Sequence, residues 1–131
     1  MTIFTEEFFE AIGNLFYAIA DADKVIEKNE IERIKSIIYS DWFLENHNNL
    51  DTKFDNASKI YYHFQQANLK KLNSEEAYNV FNQLYQNNLM LFSNNIKHDI
   101  WEAANQIAGT FAGKNKAELI WLTKLSLTFK H

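Results

Sequence analysis

Ile19-Ala20-Asp21-Ala22-Asp23-Lys24-Val25-Ile26-Glu27-Lys28-Asn29-Glu30 lies between two amphipathic stretches, and its reading decides the fold. Before it, Phe8, Ile12, Leu15 and Ile19 recur at helical spacing behind Thr5-Glu6-Glu7, a hydroxyl N-cap followed by two acids that suit a helix start. Phe9, Phe16 and Ala20 widen that stripe, so a helix running to about Ala22 is expected to be covered on more than one side. After it, Ile31, Ile34 and Ile38 share one face while Glu32, Arg33 and Lys35 take the other, which predicts a second helix from 27–29 to 39–42. The stretch is an acidic corner between helices.

Composition agrees. The chain has 131 residues, 47% of them apolar and 15% aromatic, enough for one domain, 1–131, with a substantial core. Proline is absent and glycine occurs three times, which fits helices better than a sheet with many tight turns. Cysteine is absent too, so any metal must be held by oxygen or imidazole. No apolar run nears the ~20 residues that span a bilayer, and the N-terminus carries no basic segment leading an apolar run. The expectation is a cytoplasmic protein with no transmembrane segment.

Further helices follow in order. Phe54, Ala57, Tyr61, Phe64 and Ala67 place a third helix over about 52–70, with Asp51 as its cap. Asn73-Ser74-Glu75-Glu76 resembles a capping box and launches a fourth, carrying Ala77, Phe81, Leu84, Asn88 and Leu91. Ser93-Asn94-Asn95 caps a fifth with Ile96, Ile100, Ala103, Ile107 and Phe111, for which Gly113 suits the C′ position. Asn115 and Glu118 start a last helix bearing Leu119, Leu122, Leu125 and Phe129; Ile120, Trp121 and Leu127 make it apolar nearly all round, the pattern of a bundle's buried centre. The fold class is all-α, a single-domain helical bundle of six or seven helices.

The two ends of the chain echo each other. At a constant offset Ile19-Ala20 falls on Ile107-Ala108, Glu30 on Glu118, Ile31 on Leu119, Ile34 on Leu122 and Ile37 on Leu125, as two diverged helical hairpins would. Asp21, Asp23 and Glu27 fall on Gly109, Phe111 and Asn115, so the acids belong to the first corner only. Residues 1–32 carry eight acids and two bases, a local −6 within a net charge of −4. Such a field repels phosphate backbones, excludes nucleic acid as a partner, and favours cations or basic surfaces.

Asp21, Asp23, Glu27 and Glu30 are the candidate ligands, an oxygen set suited to a divalent cation of the Ca or Mg type. The corner is not an EF-hand loop: Ile26 stands where that loop needs its glycine, and Lys28 where it needs an aliphatic residue. A purely structural account also exists, in which Asp23, Glu27 and Glu30 serve helix capping and the N-terminal dipole. Asp21 fits it less well, because a carboxylate in a helix's last turn meets the unfavourable end of the dipole.

Ala18-Ile19-Ala20-Asp21-Ala22-Asp23-Lys24-Val25-Ile26-Glu27-Lys28-Asn29-Glu30 resembles the signature of the tellurite-resistance TerB-like helical domain family, an alanine-rich helix running into Asp-x-Asp-Gly-x-Ile-x-x-x-Glu. Asp21, Asp23 and Glu30 match the family's acidic positions, Ile26 its apolar one, and Ile107-Ala108 through Glu118 its second half; Lys24 replaces its glycine. The resemblance implies a TerB-like fold, divalent-cation binding, and protein partners in stress-related or tellurite-response complexes, some of them membrane-associated.

Catalytic signatures are missing from the sequence. There is no cysteine, no Gly-x-Ser-x-Gly elbow and no phosphate-binding glycine loop, and His47, His63, His98 and His131 are too scattered to pair on a helix for zinc. His63 with Tyr61, Tyr62 and Phe64 reads as a partly buried helix face. The expectation is a non-enzymatic domain whose acidic corner binds a divalent cation or a basic partner. The alternative is a structural protein–protein interaction module working through Trp42-Phe43 and the third and fourth helices.

Overall fold

In the computed structural model, which describes residues 4–23, 26–41, 50–110 and 116–130, the helix preceding the acidic corner is the one on which four of the other five pack. This helix, α1 (Glu6–Ala20), starts where Thr5 Oγ1 accepts the Phe8 N–H, and every residue from Ala11 to Ala20 is buried. Complete burial of Phe8, Ile12, Leu15, Phe16 and Ile19 is worth about 1.5–3 kcal/mol each, which makes α1 the main source of core energy. A 3₁₀ turn, Asp21–Asp23, follows it.

Five more helices complete the described fold: α2 (Lys28–Asp41), α3 (Leu50–Lys70), α4 (Ser74–Asn87), α5 (Asn94–Ala108) and α6 (Lys116–Phe129). The all-α bundle is as the sequence implies. Both α3 and α4 lie along α1. The approach of α3 is close enough that a methyl on Gly13 would stand 2.7 Å from the Ile60 carbonyl oxygen and 2.9 Å from the Phe64 nitrogen.

α3 and α4 turn into one another over three residues. The Leu72 N–H reaches the Ala67 carbonyl and the Lys71 N–H that of Asn68, with Lys71 at a φ of 53°, a Schellman ending built on lysine where glycine is usual. The capping box of α4 forms as its sequence implies: Asn73 Oδ1 accepts the Glu76 N–H at 2.8 Å, and Glu76 Oε1 accepts that of Asn73.

The internal echo is more exact than the sequence suggests. Glu6 and Asn94, Ala20 and Ala108, Lys28 and Lys116, and Asp41 and Phe129 bound equivalent helices, each pair 88 positions apart. Thr5 and Ser93 are equivalent N-caps, and Asp21 and Gly109 equivalent C-caps, with φ and ψ of −77° and −6° against −78° and −6°. The packing is reciprocal as well: α1 meets α5, α2 meets α5 and α6 meets α1, while α6 touches the first corner and Arg33 of α2 donates to the Thr110 carbonyl at the second. One helical hairpin is used twice about a pseudo-two-fold relation.

Several expectations are corrected. The terminal helix is not the centre of the bundle: Leu119, Ile120 and Leu127 are exposed, and α1 holds the central place because its whole circumference can be covered by α3, α4, α5 and α6. α5 ends at Ala108, well before Gly113, because the Thr110 hydroxyl and N–H both take the Ile107 carbonyl. α4 stops at Asn87, since the Asn88 side chain donates to the Leu84 carbonyl and diverts the chain into a 3₁₀ turn, Leu89–Leu91. Asp51 lies inside α3, which begins at Leu50, and is not its cap. Trp42-Phe43, His47, Phe111, Gly113, Asn115 and His131 lie outside the described residues.

Candidate functional site at the first corner

Asp21 closes α1 as its C-cap, half-buried, in the place where its charge is least welcome to the helix dipole. The compensation the sequence calls for comes from Tyr17, one turn earlier. Its hydroxyl is buried and donates to the Leu72 carbonyl at 2.7 Å. Burial, followed by the charge of Asp21 and a hydrogen bond with its carboxylate, pushes the Tyr17 phenol well above its ordinary pKa of 10.0. The phenol therefore keeps its proton until strongly alkaline pH.

Glu27 occupies the N-cap position of α2, its carbonyl accepting the Ile31 N–H at 3.0 Å, and its own N–H donates to Glu30 Oε1 at 2.8 Å. This is the reach-back half of a capping box, so one oxygen of Glu30 serves helix initiation. The Glu27 side chain is exposed. Asp23 belongs to the 3₁₀ turn, but its side chain, like all of Lys24, lies outside the described residues. Among the described residues no three His, Asp or Glu side chains gather in a way that could hold a metal ion.

What the structure adds is a groove. Tyr17, Ile26 and Leu72 line it together with Asp21, and the α3–α4 turn contributes Asn68, Leu69, Lys71 and Asn73. It is open to solvent and holds about 760 Å³. The turn is fastened over the end of α1 by the Tyr17 bond and by Ser74 Oγ, which donates to the Ala18 carbonyl at 2.7 Å. The groove thus offers aliphatic surface beside the C-terminal, negative end of α1 and its Asp21 carboxylate. Sequence reading located the break between α3 and α4 but not its return to the first corner, because nothing local in Asn68–Asn73 encodes a contact across 55 positions.

The other candidates resolve simply. His63 Nε2 lies 2.6 Å from Glu6 Oε2 with its side chain 13% exposed, a tie between α3 and the start of α1. Tyr61 and Phe64 are core, and Tyr62 is exposed. His98 is exposed beside Glu102 at 3.7 Å on α5.

The chain matches no protein-family model, no curated protein and no solved structure.

Proposed function

We propose that the protein is a non-enzymatic TerB-like domain of a stress-related or tellurite-response assembly, cytoplasmic, and that it acts by taking a basic segment of a partner protein at its first corner. The observation that carries this reading is the groove, where the Asp21 carboxylate at the end of α1 adjoins the aliphatic surface of Ile26, Leu69 and Leu72. A lysine or arginine side chain suits both features, its charge on Asp21 and its methylene stem on the apolar wall. The local −6 of residues 1–32 supplies long-range attraction for the same class of partner. The exact hairpin repeat supports the TerB-like comparison, since that resemblance runs through both halves of the chain.

A divalent cation of the Ca or Mg type is the second reading, favoured by the confinement of Asp21, Asp23, Glu27 and Glu30 to one of two otherwise equivalent corners. It stands behind the basic segment because one Glu30 oxygen is taken by the Glu27 N–H and, among the described residues, no three His, Asp or Glu side chains gather to hold a metal ion.

Thermal melts separate the two. A Lys/Leu-rich peptide is expected to raise the midpoint of the native chain by mass action and to lose this effect in Asp21→Asn. A rise with millimolar Ca²⁺ or Mg²⁺ but not with peptide supports the cation instead. If neither ligand moves the midpoint, both readings fall.

A further inference from the structure

The face of α6 turned away from the bundle is a second surface, opposite in character to the first corner. Glu118, Leu122 and Leu125 form the buried stripe of this helix. Leu119, Ile120 and Leu127 are nonetheless 46%, 64% and 54% exposed, and with Thr123 they fall within about a third of a turn of one another. A helix apolar on both sides is ordinarily covered on both sides. Among the described residues α6 meets α1, α5 and the first corner, and α4 through Trp121, Thr128 and Phe129 against Tyr78, Phe81 and Tyr85, while Leu119, Ile120 and Leu127 stay exposed. Isolated exposed leucines need no explanation; three large aliphatic side chains on one face of a single helix, with only Thr123 between them, do.

Charge indicates what covers it. Glu118, the single acid of α6, is fully buried, so the helix shows no carboxylate to solvent. Lys124 and Lys130 are exposed beside the stripe, and among the described residues neither forms an ion pair. Lys124 instead rests its ammonium 5.0 Å from the ring centres of both Tyr78 and Trp121. Lys97, near the end of the helix, donates to the Phe129 carbonyl. An apolar strip with a basic border is the complement of an amphipathic helix with acidic flanks.

A second copy of this chain fits less well. Antiparallel pairing of α6 with α6 sets lysines against lysines, and docking α6 on the acidic third of another copy is a head-to-tail contact, which gives a ring or an open filament and not the common two-fold dimer. We infer that the outer face of α6, Leu119, Ile120 and Leu127 bordered by Lys124 and Lys130, docks an acidic amphipathic helix of three to four turns from another protein.

The test is selection of a phage-displayed library of amphipathic helical peptides on the full chain. Winners are expected to carry more Asp and Glu than Lys and Arg, and to bind Ile120→Glu/Leu127→Glu about tenfold or more weakly, with its melting temperature unchanged. Lys124→Glu/Lys130→Glu, which keeps the apolar stripe, is expected to lose the acidic winners to a similar degree and to gain basic ones. Absence of winners, neutral or basic winners, or winners indifferent to both variants overturns the inference. So does a light-scattering mass that doubles with concentration and reverts in Ile120→Glu, which assigns the face to a second copy. Flotation of the chain with phosphatidylserine vesicles, abolished by the same substitution, assigns it to a membrane surface and overturns it likewise.

Discussion

The Tyr17 hydroxyl and the Leu72 carbonyl, 2.7 Å apart, join the last turn of α1 to the α3–α4 connection. Through this bond the acidic corner and a turn 55 positions away become one groove. Tyr17→Phe keeps the ring but leaves the carbonyl without its donor. It is expected to cost about 1–2 kcal/mol in urea unfolding. A loss below the error of the measurement means the turn is held by Ser74 and packing alone.

Lys71 bears a conformational cost that nothing local repays. At a φ of 53° a side chain is disfavoured by about 1–2 kcal/mol relative to glycine. Glycine in turn loses more entropy on folding, by about 0.5–1 kcal/mol. Lys71→Gly is therefore expected to stabilise the chain by roughly 0.5–1 kcal/mol, whereas Lys71→Ala should be nearly neutral. Equal midpoints for Gly and Ala in thermal melts would contradict the αL assignment.

Gly13 is fixed by contact, not by backbone conformation. A Cβ there meets Ile60 O, His63 Cβ and Phe64 N at 2.7, 2.8 and 2.9 Å, none of them the end of a flexible side chain. Alanine gains about 1 kcal/mol in helix propensity but forces α1 and α3 apart, an overpacking cost of about 1–3 kcal/mol or more in a well-filled core. Gly13→Ala should destabilise, and Gly13→Val more so. A stabilised Gly13→Ala in chemical denaturation would show that α3 can retreat freely.

Alkaline pH should unfold the protein through its phenols. Tyr17, Tyr61 and Tyr78 all have pKa values raised above 10.0, burial being the largest cause in each. Glu32 and Tyr39 add to the effect at Tyr61, while the Thr128 hydrogen bond partly opposes it at Tyr78. Because the folded value exceeds the unfolded one, the stability these groups contribute is whole below about pH 10 and is lost as pH rises through the folded values. In an alkaline titration their phenolate absorbance should rise together with the loss of helical circular dichroism. Full phenolate absorbance with the helix signal intact would refute their burial.

Much of this was legible residue by residue. Thr5, Asn73 and Ser93 cap helices where their sequence contexts place them, because capping is a contact over three residues. Ala57, Tyr61, Phe64, Ile100, Ala103 and Ile107 are core, as their spacing implies. The helix ends were harder. Asn88 and Thr110 end helices by binding backbone carbonyls of the preceding turn, and an apolar pattern running past those points concealed it. Of the four acids, the role of Glu30 in starting α2 was readable from sequence, and the pairing of Asp21 with a buried phenol was not.

By itself the sequence determined the helical class, a count of six or seven helices, the acidic corner and the hairpin repeat. Each rests on a period of 3.6 residues, on local capping, or on a comparison of the chain with itself. Only the tertiary structure decided that α1 and not α6 is the centre. Two helices can be equally apolar all round, and which is buried depends on how many neighbours the connections allow around it. Tertiary packing also joined Tyr17 to Leu72, left the outer stripe of α6 uncovered, and spent one Glu30 oxygen on the Glu27 N–H.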